Sequence, residues 1–237
     1  GSKEDKLQNV SIWKDRMIAL IIFMVINISF WACFEQAGTS LTLFADRNVD
    51  RFIFGWEMPA SMTQFFNPFF IILFGSIFSV MWVKLSKIGK NPSIPLKFCF
   101  GIVQLALGFL LTQVGFQFVN EAYQVPILTL VFLYMLHTTG ELFLSPIGLS
   151  MVTKLSPKSM AGTAMGAWFL SFAIANYVGG KIAALTGGHG GGEVTSAEDG
   201  LLQYLDTFAT IGYVLLAIAA LIFVLNKPIQ KLMHGVE

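Results

Sequence analysis

The sequence has 237 residues, of which 55% are hydrophobic and only 12% are charged, with 23 phenylalanines and a formal net charge of +1. This is more apolar surface than a soluble domain of the same length can bury, and a nearly neutral chain offers no basic footprint for nucleic acid. The composition therefore predicts a membrane protein.

In chain order, residues 1–16 come first as a short leader of mixed charge, which we expect to be cytoplasmic. It lacks the pattern of a signal peptide, and Gly1-Ser2 is interpreted as a cloning remnant. Because a spanning helix needs about 20 mostly apolar residues, six segments qualify as spans. They are residues 17–43, 58–83, 95–118, 125–151, 162–185 and 204–226. Residues 227–237 then form a cytoplasmic tail.

The loops between these segments alternate in charge, and this alternation predicts the orientation of the chain. Two loops are rich in lysine, with Lys84, Lys87, Lys90 and Lys97 in one and Lys154 and Lys158 in the other. Two other loops are acidic, with Glu121 in one and Glu193, Glu198 and Asp199 in the other. By the positive-inside rule the lysine loops and both termini are cytoplasmic, in a multi-pass protein of the plasma (inner) membrane. The glycine-rich residues 187–192 are expected to form a flexible outer loop, and the lone His189 lacks the companions that a metal site needs.

Polar residues in the fourth span form one stripe. Tyr134, His137, Glu141 and Ser145 recur at steps of three or four, so they share one face of a helix that Pro146 should kink. A carboxylate in hydrocarbon is a functional-site candidate by default, and we expect Glu141 to be one. His137 is either a packing residue or a candidate proton relay to Glu141.

Other spans also carry polar residues, and in some of them aromatic residues lie beside these. Trp31, Phe34 and Glu35 share a face in the first span, and Trp168 lies in the fifth. In the second span Asn67 precedes Pro68, and we expect a broken backbone hydrogen bond there as well. Each has a plain structural alternative. Asn67 and Ser145 can simply bridge helices, and the tryptophans can be ordinary core aromatics. For Glu35 and Glu141 that alternative is a structural ion pair, although the chain offers no cation at matching depth.

Three stretches resemble the proton-dependent oligopeptide transporters, a branch of the major facilitator superfamily. They are FWACFEQAGTSLTLFADRNV, QFFNPFFIILF and GELFLSPIGLSMVTKLSP, which occur in the family's order from the first to the fourth span. The resemblance implies an all-α membrane protein, a six-helix bundle forming the C-terminal half (helices seven to twelve) of that fold. It also implies a peptide site between two six-helix halves. No stretch resembles the motifs of the family's N-terminal half.

The resemblance also implies roles for individual residues. Glu141 matches the glutamate that receives the amino terminus of the peptide, and Ser145 and Asn67 match pocket positions near it. Glu35 matches the acidic member of an extracellular salt-bridge gate. Aromatic positions of the side-chain pocket are matched by Trp31, Phe34 and Trp168.

Together these observations predict the C-terminal bundle of a proton-coupled di- and tripeptide symporter. Its partners would be a small peptide, the N-terminal six-helix half and the lipid bilayer, with no cofactor besides the coupling proton. The alternative is a self-associating six-helix carrier or channel-like protein with another small substrate. An enzyme is not expected, because His137 and Glu141 form at most a dyad without a nucleophile motif.

Overall fold

The structure is a computed structural model that describes residues 3–186 and 196–237. Nine α-helices account for most of these residues: α1 (Lys3–Phe34), α2 (Ser40–Asn48), α3 (Phe66–Lys87), α4 (Ile94–Phe116), α5 (Ile127–Leu144), α6 (Gly148–Leu155), α7 (Ala161–Thr186), α8 (Ala197–Val224) and α9 (Asn226–Met233). They build six helical segments long and apolar enough to cross a membrane, which confirms an all-α membrane architecture. The predicted glycine-rich loop at residues 187–192, with His189, lies outside the described residues.

The first span is interrupted by a 3-10 turn, Glu35–Gly38, that separates α1 from α2. Gln36 lies fully buried in this turn. Its Nε2 donates to the carbonyl oxygens of Ala32 and Gly179, each at 3.0 Å, and its Oε1 accepts from the Ser40 hydroxyl. A buried backbone carbonyl needs a partner, so this one side chain stabilises the break and ties the first span to α7.

The fourth span is interrupted at the position that Pro146 predicts. Helix α5 ends at Leu144 and α6 begins at Gly148. The amide of Ser145 still donates to the Glu141 carbonyl at 2.9 Å, but the proline has no amide hydrogen with which to continue the ladder. The kink therefore lies one turn beyond Glu141.

Asn67 and Pro68 do not break a helix in the second span, contrary to the sequence-based expectation. The residues before them form a 3-10 turn, Ala60–Phe65, and the α-helix begins at Phe66. Pro68 therefore occupies the first turn of α3, where an amide hydrogen would have no partner within the helix. Asn67 is placed at a helix start rather than at a kink.

Helix α4 is the centre of the bundle and packs against both α5 and α8. Glycines allow the close approach to α5. A Cβ added at Gly101 would lie 2.9 Å from the carbonyl oxygen of Gly140, and one added at Gly140 would lie 2.7 Å from the carbonyl oxygen of Gly101. The next most extensive contacts pair α1 with α7 and α3 with α5.

The loop end of the bundle, opposite the chain termini, carries two small strand pairs. Strand β1 (Val49–Asp50) runs parallel to β4 (Val125–Pro126), and β2 (Phe52–Ile53) forms a hairpin with β3 (Trp56–Glu57). Arg51 joins the hairpin to α2, because its Nε donates to the Ala45 carbonyl and its guanidinium lies 3.1 Å from the Glu57 carboxylate.

A side-chain contact ties the loop before β4 to the start of α8. The Tyr123 hydroxyl lies close enough to the Glu198 carboxylate for the two groups to interact. This hydrogen-bonding interaction, together with the negative charge of Glu198, raises the pKa of Tyr123.

The opposite end is closed by α9, which occupies the region predicted as a tail. Arg16 of α1 donates to the carbonyl oxygens of Met233 and His234, at 3.1 and 3.0 Å, and so satisfies groups at the C-terminus of α9. The His234 ring lies 2.7 Å from an Asp15 carboxylate oxygen. The predicted leader is also helical, since α1 begins at Lys3.

Candidate functional site

Glu141 is held by a short hydrogen-bond network between α3 and α5. The Asn67 amide donates to the Glu141 carboxylate at 3.0 Å and lies 2.9 Å from the Thr138 hydroxyl. Thr138 is fully buried, whereas Glu141 is half-buried. Asn67 therefore orients one carboxylate oxygen of Glu141 while part of the group stays accessible. Asn67 does bridge two helices, as its structural alternative proposed, and the group it bridges to is the candidate acid.

The predicted stripe of α5 divides into a sealed part and an open part. Tyr134 and His137 are each only 1% exposed. Among the described residues, two buried side-chain polar atoms have no hydrogen-bond partner, the Tyr134 hydroxyl oxygen and His137 Nε2. Ser145, at the other end of the stripe, is exposed. The His137 ring packs against Phe109, at 4.7 Å between centroids. These contacts are typical of a packing residue, and the proton relay from His137 to Glu141 stays a prediction.

A cavity of about 180 Å³ opens beside the kink of the fourth span. Its walls come from α1, α4, α7 and the kink region, and most of them are apolar: Asn27, Trp31, Phe98, Leu144, Ser145, Gly148, Leu149, Trp168, Phe169 and Phe172. Trp31 and Trp168 meet there through Phe172, whose ring centroid lies 5.5 and 6.4 Å from theirs. The two predicted pocket tryptophans therefore share one cavity.

The structure separates the predicted residues into two groups joined by Ser145. Glu141 and Asn67 form the polar group, and Trp31 and Trp168 form the aromatic group. Ser145 lines the cavity and its amide donates to the Glu141 carbonyl. Phe34 does not line this cavity, but its ring makes an edge-to-face contact with Trp31, at 5.0 Å between centroids.

Glu35 neither shares the hydrogen bonds of the polar group nor lines the cavity, although its charge acts on Glu141. It begins the 3-10 turn of the first span and is exposed. It takes part in none of the ion pairs found within residues 3–186 and 196–237. Lys181 forms an ion pair with neither Glu35 nor Glu141, and its ammonium lies over the ring of Tyr177. Over the same residues there is no group of three or more His, Cys, Asp or Glu side chains that could hold a metal ion.

The sequence-based reasoning missed Thr138, Asn27 and Ser171. Asn27 donates to the Ser171 hydroxyl at 2.9 Å, and both side chains are buried. Thr138 and Ser171 carry no clear signal, because small hydroxyl residues are common in membrane helices. Asn27 did carry one: a lone amide four residues before Trp31 in an apolar run lies on the same helix face.

This geometry can bind an organic cation at Glu141 and an apolar group in the adjacent aromatic cavity. Six spans with interrupted helices around such a site are typical of one repeat of a secondary transporter. The comparisons with known proteins identify which transporters. The sequence model of the POT family matches residues 6–192, so the chain belongs to the POT family of peptide transporters.

Relatives with assigned names support this membership. The chain is 37% identical over 224 residues to the peptide transporter YePEPT of Yersinia enterocolitica, covering 94% of this chain and 42% of that protein. It is 34% identical to the dipeptide and tripeptide permease A of Edwardsiella piscicida, covering 93% and 44% of the two chains. An uncharacterized transporter of Bacillus subtilis, YclF, is 33% identical over the whole chain and 44% of its own length.

Solved structures agree with the sequence relatives. A crystal structure of a POT peptide transporter in complex with sulfate is 32% identical and superposes with a TM-score of 0.81, over 95% of this chain and 42% of that one. A POT family transporter in complex with a thioalcohol-conjugated peptide gives 28% identity and a TM-score of 0.77, over 92% and 42%. These matches confirm the major facilitator fold. The chain spans less than half the length of the relatives it matches.

Proposed function

We propose that this chain is the C-terminal bundle of a proton-coupled di- and tripeptide symporter that works by alternating access. The observation that carries the proposal is Glu141, an intramembrane carboxylate that Asn67 orients but that no cation neutralises among the described residues. An acid in that position is expensive unless it meets a cation or water. The ammonium of a peptide supplies such a cation.

The aromatic cavity supports a peptide rather than a simple amine. It begins one turn beyond Glu141, at Ser145, and its walls are mainly apolar. A peptide with its amino terminus at Glu141 can therefore place a side chain between Trp31 and Trp168. Peptide transport is also the activity in the names of the Yersinia and Edwardsiella relatives.

A second six-helix half is part of the proposal. Only 6% of the most apolar stretch of the second span is buried, compared with 61% for the third span, so α3 leaves much of its surface open to lipid or to another protein. The partner half would cover part of α3 and supply the positive charge for the peptide carboxylate. The two halves would rock about the site between them, in the inner membrane with both termini of this chain cytoplasmic.

The coupling ion of the proposed cycle is a proton, and no other cofactor is required. Proton binding at a carboxylate shifts the equilibrium between outward-open and inward-open states only if the proton affinity differs between them. Glu141 would lose its ammonium partner when the peptide leaves, so its proton affinity would differ between the peptide-bound and the empty transporter.

The test is Glu141→Gln in the transporter that contains this chain. The variant keeps the size of the side chain and removes its charge. A hydrogen bond to a charged group contributes about 1.5 to 3 kcal/mol, so the affinity for a free-amine dipeptide should fall by roughly one to two decades. Binding is measured for a dipeptide and for its N-acetylated analogue, and the analogue should lose little.

The matched control is Glu35→Gln, the same change at an acid that Asn67 does not contact. It should leave the preference for the free amine intact. Equal losses for the free and acetylated peptides in Glu141→Gln would remove Glu141 from amine recognition.

A further inference from the structure

We propose that Asn27 is a specificity-determining residue of the aromatic cavity, where its side-chain oxygen accepts a hydrogen bond from the hydroxyl of a tyrosine side chain of the peptide. The inference rests on the proposed peptide transport and names the side chain that the cavity prefers. It is supported by the hydrogen bonding of Asn27, which leaves the side-chain oxygen Oδ1 without a partner among the described residues.

Asn27 is a polar residue in mainly apolar surroundings. It lies on α1 one turn before Trp31, so both side chains project from the same face of the helix. The residue is 2% exposed and lines the cavity together with Trp31, Trp168 and Phe172. A buried amide in such surroundings needs partners for both its NH2 group and its oxygen.

The hydrogen bonds of Ser171 determine which atom of Asn27 faces which way. Ser171 has a single hydroxyl proton, and it donates that proton to the backbone carbonyl of Trp168, which can only accept. Toward Asn27 the hydroxyl must therefore accept, so the group that meets it at 2.9 Å is the amide nitrogen Nδ2. The oxygen Oδ1 is then directed away from Ser171.

The oxygen Oδ1 of Asn27 remains available to a ligand. It makes none of the hydrogen bonds found between described residues, and it is not one of the sealed polar atoms, which belong to Tyr134 and His137. Since Asn27 lines the cavity and its nitrogen is directed to Ser171, we infer that the oxygen faces that space. The cavity thus combines aromatic walls with one neutral acceptor.

A phenol fits this combination better than an unsubstituted ring. Trp31, Trp168 and Phe172 suit the faces and edges of an aromatic side chain. The tyrosine hydroxyl would satisfy Oδ1, whereas phenylalanine would bury that oxygen without a donor. A site with a buried polar group discriminates against a ligand that leaves it unpaired.

The experiment compares three dipeptides in the transporter that contains this chain. Alanyl-tyrosine, alanyl-phenylalanine and alanyl-O-methyltyrosine compete with labelled alanyl-alanine for uptake, and inhibition constants are expressed as ratios within each protein. In the parent, alanyl-tyrosine should bind about tenfold more tightly than the other two, the size of one hydrogen bond. O-methyltyrosine keeps the ring and oxygen but lacks the donor.

Two variants test the acceptor, Asn27, and the residue that orients it, Ser171, separately. Asn27→Leu should reduce the ratio of tyrosine to phenylalanine to near one. Ser171→Ala removes the acceptor that orients the Asn27 amide but leaves Oδ1 in the cavity wall, so the ratio should fall in this variant, though less than in Asn27→Leu. Because the ratios in the parent need no variant, poor folding of Asn27→Leu leaves the test intact.

Three results would overturn the inference while leaving peptide transport in place. They are equal binding of tyrosine and phenylalanine peptides by the parent, an unchanged ratio in Asn27→Leu, and a larger loss of the ratio in Ser171→Ala than in Asn27→Leu, which would assign the ratio to the packing of Trp168. If the parent takes up no dipeptide at all, the proposed function fails, and the inference fails with it.

Discussion

At the scale of single residues, the two acids of the apolar spans have different surroundings. Glu141 is half-buried and accepts a hydrogen bond from Asn67, whereas Glu35 is exposed at the start of a 3-10 turn. An oriented carboxylate is suited to ligand recognition. An exposed acid outside every ion pair found in the described parts of the chain is suited to a partner from another protein segment.

We therefore expect Glu35→Gln to affect the conformational cycle rather than binding. If Glu35 pairs with a basic residue of the partner half when the outer face closes, the variant should slow peptide turnover while the dissociation constant of the peptide changes little. Turnover is measured by uptake and outer-face closure by the accessibility of a cysteine to a thiol reagent. Unchanged turnover together with unchanged accessibility would rule out the gate.

At the scale of elements, the bundle depends on helix pairs that approach closely. Gly101, Gly108 and Gly115 recur every seven residues on one side of α4, and a Cβ at each would overlap α5. At Gly108 the obstacle is the His137 ring, at 2.4 Å from its Cδ2. Small residues at helix contacts are the usual means of packing in a membrane, where apolar burial from water does not drive helices together. The packing of His137 is thus part of the α4 and α5 interface.

The pair α1 and α7 offers a prediction with a built-in control. A Cβ at Gly179 would lie 2.9 Å from the carbonyl oxygen of Ala32, while one at the next residue, Gly180, would meet nothing within 4 Å. Overpacking typically destabilises by about 1 to 3 kcal/mol. Gly179→Ala should therefore lower the thermal unfolding midpoint in detergent, whereas Gly180→Ala should leave it nearly unchanged. Equal midpoints for the two variants would show that the helices separate without cost.

At the scale of the whole molecule, two observations point the same way: α3 has an open surface, and the chain covers less than half the length of its relatives. The chain covers 42% of the length of the POT transporter of known structure. Only 6% of the most apolar stretch of the second span is buried. Both observations favour a bundle that works against a second bundle. A zwitterionic peptide also needs positive charge for its carboxylate, and none is found at the depth of Glu141 in the described residues.

We expect that this chain alone does not transport peptides. Half of the charge pattern that holds a zwitterion is missing from the described bundle, and one bundle cannot rock against itself. The chain is reconstituted in liposomes with and without a co-produced N-terminal six-helix half, and dipeptide uptake is followed under an inward proton gradient. Robust uptake by the chain alone would favour the self-associating six-helix carrier.

The sequence by itself determined the membrane class, the six spans, the acids within them and the interruption at Pro146. These features depend on the composition of single segments, on helical periodicity and on the missing amide of proline, all of which are local. The resemblance to the peptide transporters also rests on contiguous stretches, and the comparisons confirm it.

Only the tertiary structure decided which polar groups meet. Asn67 and Thr138 are 71 positions apart, and Asn27 and Ser171 are 144 apart, so no spacing within one helix predicts either pair. Periodicity placed Tyr134, His137 and Glu141 on one face of α5, but the neighbouring helices determine that the first two are sealed and the third is open. The physical reason is that a helix face is a local property, whereas burial and hydrogen-bond partners depend on what packs against that face.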